Sequence, residues 1–462
     1  MRRYILPLGL SVLFFNPSYA QTTLSPRGID AVRDHVVEAS IVNTLHVTEP
    51  VAPLTLKAAL ELALGANPEL SAAARELEAV EAMIVQAQVR PNPGISALIE
   101  DTRRTTRSTT LQLSQPIELG GKRGARIDAA ERGRDAASLE LDAKRAEVRA
   151  AVMATFFDVL VAQERLRLAQ ASVELAQRVT HAATRRVTAG KVSPVEETKA
   201  RVVEAGVRIE LMLATNDLAI ARQRLVATWG NPTPRFERAE GNPEALPPLP
   251  ALADLNTRLA AAPALLRARL EIDRRQALVQ IERSQRIPDV TVSLGARRNG
   301  ELDINQVILG ASIPLPIFNR NQGNVLEALR RTDKAHDELS VAQIRLANEL
   351  ALAYQRLKSA HQETELLQRD ILPGAQSAFA AATQGFEMGK FSFLEVLDAQ
   401  RTLFQSKSQY LRALSAAHRS AADIERILGE ASPAATPDLT PDPTPAPATA
   451  IIIGTQHEIQ SK

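Results

Sequence analysis

The sequence predicts a mainly α-helical chain with a small β part, made of two tandem copies of one unit. Three observations predict it. Aromatic residues are only 3% of the 462-residue chain, while Ala, Leu, Arg, Glu and Gln dominate, the composition of long helices rather than of a compact enzyme core. Apolar and small residues recur every three or four positions over long runs. Landmarks of the first half return about 199 residues later.

The repeat is read from four anchors in order. Ala189-Gly190-Lys191-Val192-Ser193-Pro194-Val195-Glu196 resembles Met388-Gly389-Lys390-Phe391-Ser392-Phe393-Leu394-Glu395, and Trp229-Gly230 matches Leu428-Gly429, both displaced by 199 residues. Gln115-Pro116-Ile117 matches Ile313-Pro314-Leu315 at 198, and Asn67-Pro68-Glu69-Leu70 matches Ala262-Pro263-Ala264-Leu265 at 195.

The N-terminus carries Arg2 and Arg3, an apolar run from Tyr4 to Phe15, and Ser18-Tyr19-Ala20. These are the parts of a secretory signal peptide, with cleavage expected after Ala20. The run is too short for a good membrane span. Residues 21 to about 50 read as weakly structured. A first helix is expected over about 56–90, with a cap or kink at Asn67-Pro68, and its partner over about 253–285. Proline clusters end both. Two short extended segments follow in each unit. In the second, Val290, Val292 and Leu294 and then Val307, Leu309, Ala311 and Ile313 alternate with polar or small residues, as strands with two unlike faces do. Arg297-Arg298-Asn299-Gly300 reads as the loop between them. The first unit's segments are Ile95 to Glu100 and Thr109 to Pro116, with Thr102 to Ser108 as the loop.

The longest helices come next. Val148, Val152, Thr155, Val159, Ala162, Leu166, Ala169, Val173 and Ala176 step by four and three, and so do Leu346, Leu350, Ala353, Leu357, Ala360, Thr364, Leu367 and Ile371. A mean step of 3.5 predicts left-handed supercoiling around a continuous seam. From Lys122 to about Arg186 the helix would be roughly 65 residues, or ~97 Å long. Both units then turn at a Gly-Lys motif. Ser193 to Glu196 and Ser392 to Glu395 each read as a capping box opening a returning helix.

Composition and motifs exclude several classes. The 55 basic side chains, less Arg2 and Arg3, balance 53 acidic ones, and no basic block suggests nucleic acid. With no cysteine, disulfides and thiolate metal sites are out. Gly120-Gly121-Lys122 lacks the first glycine and the Ser/Thr of a phosphate loop, so it reads as turn-to-helix punctuation. The seven histidines, at 35, 46, 181, 336, 361, 418 and 457, have no metal-ligand spacing. No enzyme, cofactor or resident metal is expected. Four strands per chain cannot close a barrel, and open edges cannot sit in lipid. If the strands enter a membrane the chain must oligomerise, two copies giving eight strands and three giving twelve.

These features resemble the TolC-like outer-membrane factors over about residues 54–430. Within them, Gln115 to Arg123, Ser312 to Gly323 and Leu394 to Arg401 are similar to the cobalt–zinc–cadmium resistance branch. The resemblance implies a homotrimer: a twelve-stranded transmembrane β-barrel in outer-membrane lipid over a long α-helical barrel in the periplasm. It implies a periplasmic adaptor, an inner-membrane transporter of the resistance–nodulation–division type, and divalent heavy-metal cargo. The expected partition is a signal peptide at 1–20, a periplasmic segment at 21–53, repeats at 54–230 and 253–430, a linker at 231–252, and a disordered Pro/Ala/Thr-rich tail at 431–462. By the same resemblance the adaptor-contacting tips are Gly190, Lys191, Val192 and Ser193, and Gly389, Lys390, Phe391 and Ser392. The gate carboxylates are Glu395 and Asp398. Glu395 also has a capping duty, whereas Asp398 has none. Phe391 stands where some family members carry a basic latch, so no salt-bridge latch is expected there. The competing readings are an outer-membrane channel for drugs or other organic solutes, and a periplasmic coiled-coil adaptor or structural protein.

Overall fold

The computed structural model describes residues 48–49 and 53–429, except Thr102, Arg104, Pro243 and Gly389. The expected signal peptide, almost all of the N-terminal segment and the C-terminal tail lie outside the described residues.

Each half has the same order. The first runs β1 (Leu54–Thr55), α1 (Leu56–Ala66), α2 (Pro68–Gln88), β2 (Gly94–Glu100), β3 (Ser108–Ile117), α3 (Lys122–Thr188) and α4 (Pro194–Ala227). After β4 (Ala239–Glu240), the second runs α5 (Leu252–Leu259), α6 (Pro263–Ser284), β5 (Val290–Asn299), β6 (Ile304–Ser312), α7 (Gln322–Leu366), α8 (Leu372–Glu387) and α9 (Phe393–Leu428). The expected first helix of each half is thus two helices. Asn67 caps α2 by accepting from Leu70 N at 3.0 Å, and its amide donates to Thr228 O at 2.7 Å. Pro68 and Pro263 each take the first turn of the helix they begin, where a missing N–H costs nothing.

The halves also close alike. Gly230 and Gly429 end α4 and α9 with φ of +81° and +76°, the left-handed cap that favours glycine. A Cβ at Gly230 would press on Pro68, and one at Gly429 on Pro263. The returning helix of each half therefore seats its last glycine on the proline that opens the half.

The long helix α3 buries Val148, Val152, Val159, Ala162, Ala169, Val173 and Ala176 of the expected seam, with Thr155 and Leu166 half-buried. At 67 residues it is ~100 Å long. The second seam is buried from Leu346 to Leu367, but Ile371 is exposed. A π turn at Leu367–Ile371 intervenes. Pro373, just inside α8, has no N–H and would clash with the preceding turn; the wider turn absorbs it and rotates the following face away from the seam.

The helices form an arc in two tiers, both traversed by α3 and α7. Beside the strands the order is α2, α3, α6, α7; toward the hairpin tips it is α4, α3, α9, α7, with α8 continuing α7 beside α9 to the second tip. Between the tiers lies a core containing Leu54, Phe156, Trp229 and Phe236. Within the expected linker at 231–252, β4 pairs in parallel with β1, and Phe236 and Ala239 are buried. Just upstream of β1, residue 49 is among those described. Glu49 is buried, and its carboxylate accepts hydrogen bonds from Trp229 Nε1, Asn231 Nδ2, Arg235 N and Phe236 N. Four donors on one carboxylate fix the start of the first repeat.

One antiparallel sheet, ordered β2-β3-β5-β6, joins the two strand pairs through β3 and β5. Arg297, Arg298 and Asn299 belong to β5, not to a loop, because they pair with Thr110, Thr109 and Ser108. Arg297 bonds Glu100 at 2.9 Å and Ser108 Oγ at 3.1 Å, which gives the guanidinium tip partners inside the ladder. Directly paired residues share a face. The rows Ile95–Leu113–Leu294–Leu309 and Ala97–Leu111–Ala296–Val307 lie on one face; Gly94–Ser114–Ser293–Gly310 and Leu98–Thr110–Arg297–Gln306 lie on the other. The apolar face is open, with Leu309 79% and Val307 76% exposed. Among the described residues no helix is long and apolar enough to cross a membrane.

Candidate gate and hairpin tips

At the first tip, α3 ends on Ala189 and Gly190 turns the chain at φ +68°, with Lys191 N donating to Arg186 O at 2.9 Å. This 6→1 bond is a Schellman turn. Ser193 caps α4 by accepting from Val195 N at 3.3 Å, with Pro194 in the first turn. The reciprocal box expected with Glu196 is not seen: Ser193 bonds the second helical residue rather than the third. At the second tip Lys390 N and Phe391 N donate to Gly385 O at 2.8 and 3.2 Å. Gly389 lies outside the described residues. Here the box forms, with Glu395 Oε2 accepting from Ser392 N at 2.6 Å.

The tips differ where the repeat aligns Arg186 with Gly385 and Val192 with Phe391. A Cβ at Gly385 would lie 2.8 Å from Phe391 Cγ, so the ring rests on bare glycine backbone. Arg186 instead sets its guanidinium 4.6 Å from the centre of the Phe386 ring, a cation–π contact between the hairpins. Ala183 and Ala200 of the first hairpin are buried against Phe386 and Leu397 of the second.

Glu395 and Asp398 are both exposed, on the second hairpin's returning helix. The structure separates them chemically. Glu395 is engaged in the helix cap, whereas the Asp398 carboxylate makes no ion pair among the described residues. Asp398, Gln405, Arg412 and Arg419 are exposed at seven-residue intervals and form one stripe of a supercoiled helix. A shift of 199 maps the last three onto Gly206, Leu213 and Ile220 of α4. Duplication has left one stripe polar and its counterpart largely apolar.

Two concavities open on the inside of the arc. The strand-side one is lined by α2, α3, α6 and α7, and the tip-side one by α4, α3, α9 and α7. When end helices share a hollow with the inner two, that hollow is on the concave side. The stripe reaches the tip-side hollow at Arg412 and Arg419. Sequence reasoning named the acidic start of this stripe and missed its basic end, which the seven-residue offset from Asp398 would have found.

Gly120-Gly121-Lys122 is a junction between sheet and helices. Both glycines have positive φ, and the buried Lys122 ammonium bonds Asp289 Oδ1 at 2.6 Å across the two halves. Leu119 N donates to the same oxygen at 3.1 Å. His361 Nε2 meets Pro247 O at 2.6 Å, and the buried His418 stacks on Phe157 at 3.4 Å between ring centres. Burial pushes the His418 imidazole down to about 4, partly opposed by a hydrogen bond to the Ala245 backbone. Among the described residues, no group of three or more His, Asp or Glu could hold a metal ion.

Duplicated strand pairs and long helical hairpins, a sheet apolar on one face, and an inward hollow define a class of protein built as a segment of a conduit. The chain belongs to the outer membrane efflux protein family, which matches residues 59–231 and 255–430, the two halves described above. It is 50% identical to the cobalt-zinc-cadmium resistance protein CzcC of Cupriavidus metallidurans over 429 residues, 93% of this chain and 100% of that one. It is 28% identical to the nickel and cobalt resistance protein CnrC of the same organism, over 64% of this chain and 70% of CnrC. A crystal structure of CusC matches it in fold with a TM-score of 0.69 at 19% identity, covering 84% of this chain and 96% of CusC.

Proposed function

We propose that three copies of this chain form an outer-membrane channel exporting divalent heavy-metal cations, as the exit duct of a tripartite pump. The register of the sheet carries this reading. Its apolar rows suit lipid and its polar rows suit a water-filled lumen. The outer sides of its edge strands, β2 and β6, have no partner strand among the described residues, and three copies joined edge to edge close twelve strands. The helices support the same assembly. Val195, Val202, Ile209 and Leu213 leave an apolar stripe exposed on α4, and Ile344 is exposed on α7. These are the end helices of the tip-side arc, so such residues are available to meet when copies join.

In that ring the concave sides face the axis. Asp398 then lines the periplasmic entrance in triplicate, where carboxylates attract cations, and Glu395 holds the tip in shape. The two tips are the adaptor-facing ends, beneath which an inner-membrane pump supplies cargo. Metal as cargo is supported by the relatives CzcC and CnrC, which are named for metal resistance. Deleting the gene and comparing tolerance to zinc, cobalt, cadmium and nickel with tolerance to hydrophobic drugs tests the function. Metal sensitivity alone is expected; drug sensitivity alone refutes the metal reading.

A further inference from the structure

The two inward hollows differ in how their charges are used. In the strand-side hollow every arginine is ion-paired: Arg126 with Glu118, Arg267 with Glu140, Arg274 with Glu271 at 2.7 Å and Arg345 with Glu349 at 3.6 Å. The tip-side hollow, of about 930 Å³, contains five arginines and four acids. Three of the acids are ion-paired and the fourth has a neutral amide partner. Asp217 pairs with Arg165 at 3.0 Å, Asp158 with Arg419 at 2.7 Å, Asp423 with Arg426 at 3.8 Å, and Glu363 accepts from Gln409 at 2.9 Å. Arg224 of α4, Arg356 of α7 and Arg412 of α9 have neither an ion pair nor a hydrogen-bond acceptor among the described residues.

We propose that this hollow binds multivalent oxyanions, with Arg224, Arg356 and Arg412 as the receiving groups. The proposal rests on the channel reading, which turns three guanidiniums per chain into a belt of nine around one lumen. Guanidinium is the side chain suited to such a ligand, because its planar fork pairs two N–H groups with two oxygens and stays charged at any working pH. Three unpaired guanidiniums against the single carboxylate without a cationic partner, Glu363, leave the walls net positive, and low-dielectric walls of net positive charge concentrate anions between them. The belt begins fourteen residues beyond Asp398 on the same stripe, roughly 21 Å along the helix. Cations drawn in by the acidic entrance therefore meet a positive zone, and a bound oxyanion neutralises it for their passage.

The test uses the full-length trimer in planar bilayers with inorganic pyrophosphate as the probe. Pyrophosphate is expected to alter wild-type current in a saturable way. In the triple variant R224Q/R356Q/R412Q the half-effective concentration should rise by at least roughly tenfold, and the reversal potential in a KCl gradient should shift toward cation selectivity. The R224K/R356K/R412K variant, which keeps the charge but loses the fork, should keep the wild-type selectivity while binding pyrophosphate more weakly, and Arg267→Gln in the strand-side hollow should match wild type. If the wild type conducts but the Gln triple variant shows unchanged pyrophosphate sensitivity and selectivity, the belt is overturned while the channel stands. If the wild type never conducts, the channel reading falls and the belt with it.

Discussion

The Glu49 carboxylate accepts a hydrogen bond from the Trp229 indole at 3.2 Å, across 180 residues of chain, and both side chains are buried. Three more donors converge on the same carboxylate from Asn231, Arg235 and Phe236. Glu49→Ala would strand all four, at a cost of roughly 3 kcal/mol or more. Trp229 is the only tryptophan in the chain, so its emission reports on this contact. A red shift and a lower melting temperature are expected. Unchanged emission would show that Glu49 does not hold the indole.

The two gate candidates should separate by mutation. Asp398→Ala is expected to raise basal conductance and reduce cation preference, since the carboxylate has no structural partner to lose. Glu395→Ala removes a capping-box bond and should cost about 1 kcal/mol of stability while leaving ion preference nearly intact. Single-channel recordings beside thermal melts distinguish them. Equal effects on ion preference would contradict the division of roles.

Gly385→Ala drives a methyl group into the Phe391 ring and is expected to destabilise the second tip by about 1–3 kcal/mol. Phe391→Ala on that background should restore part of the loss. A double-mutant cycle on the trimer's melting temperature measures this, and additivity would mean that the ring does not rest on Gly385.

His418 makes the fold acid-sensitive in a defined window. Its imidazole is held neutral in the fold down to about pH 4, whereas in the unfolded chain it gains a proton below about 6.5. Between those values the unfolded chain binds the extra proton, so stability falls as pH falls, by on the order of 3 kcal/mol in all. Above pH 6.5 the contribution is nil. Melting curves from pH 7 to 4.5 should flatten in His418→Phe, which keeps a ring against Phe157; an unchanged slope would assign the acid sensitivity to other groups.

Much of the architecture was legible because it is periodic. The 199-residue repeat, the seam of α3 and the Gly-Lys turns are local patterns, and the closing contacts of Gly230 on Pro68 and Gly429 on Pro263 match the anchors. What was not legible depends on partners distant in sequence. Glu49 looks like any polar residue in a Pro-flanked stretch until Trp229 and Asn231 are brought to it. Arg297 looks like a loop residue until Glu100 and Ser108 meet it. The break in the second seam needed the position of Pro373 to be weighed against the heptad. Ser193 lacks its box although the motif is present, because the cap bonds Val195 instead. Asp398 was nameable by resemblance and its stripe-mate Arg412 by the seven-residue offset, but that Arg224 and Arg356 share Arg412's hollow depends on the fold.

The most direct test of the channel is the closure of the sheet. The chain has no cysteine, so Ala97→Cys in β2 and Leu309→Cys in β6 introduce its only thiols. In one copy these edges are three strand spacings apart, roughly 14 Å, beyond the reach of a disulfide. Oxidation or a short bis-maleimide applied to outer-membrane fractions should therefore link neighbouring copies. The predicted result is a ladder of monomer, dimer and trimer that stops at three. A ladder continuing past three, or monomer alone, would contradict a barrel closed by three copies.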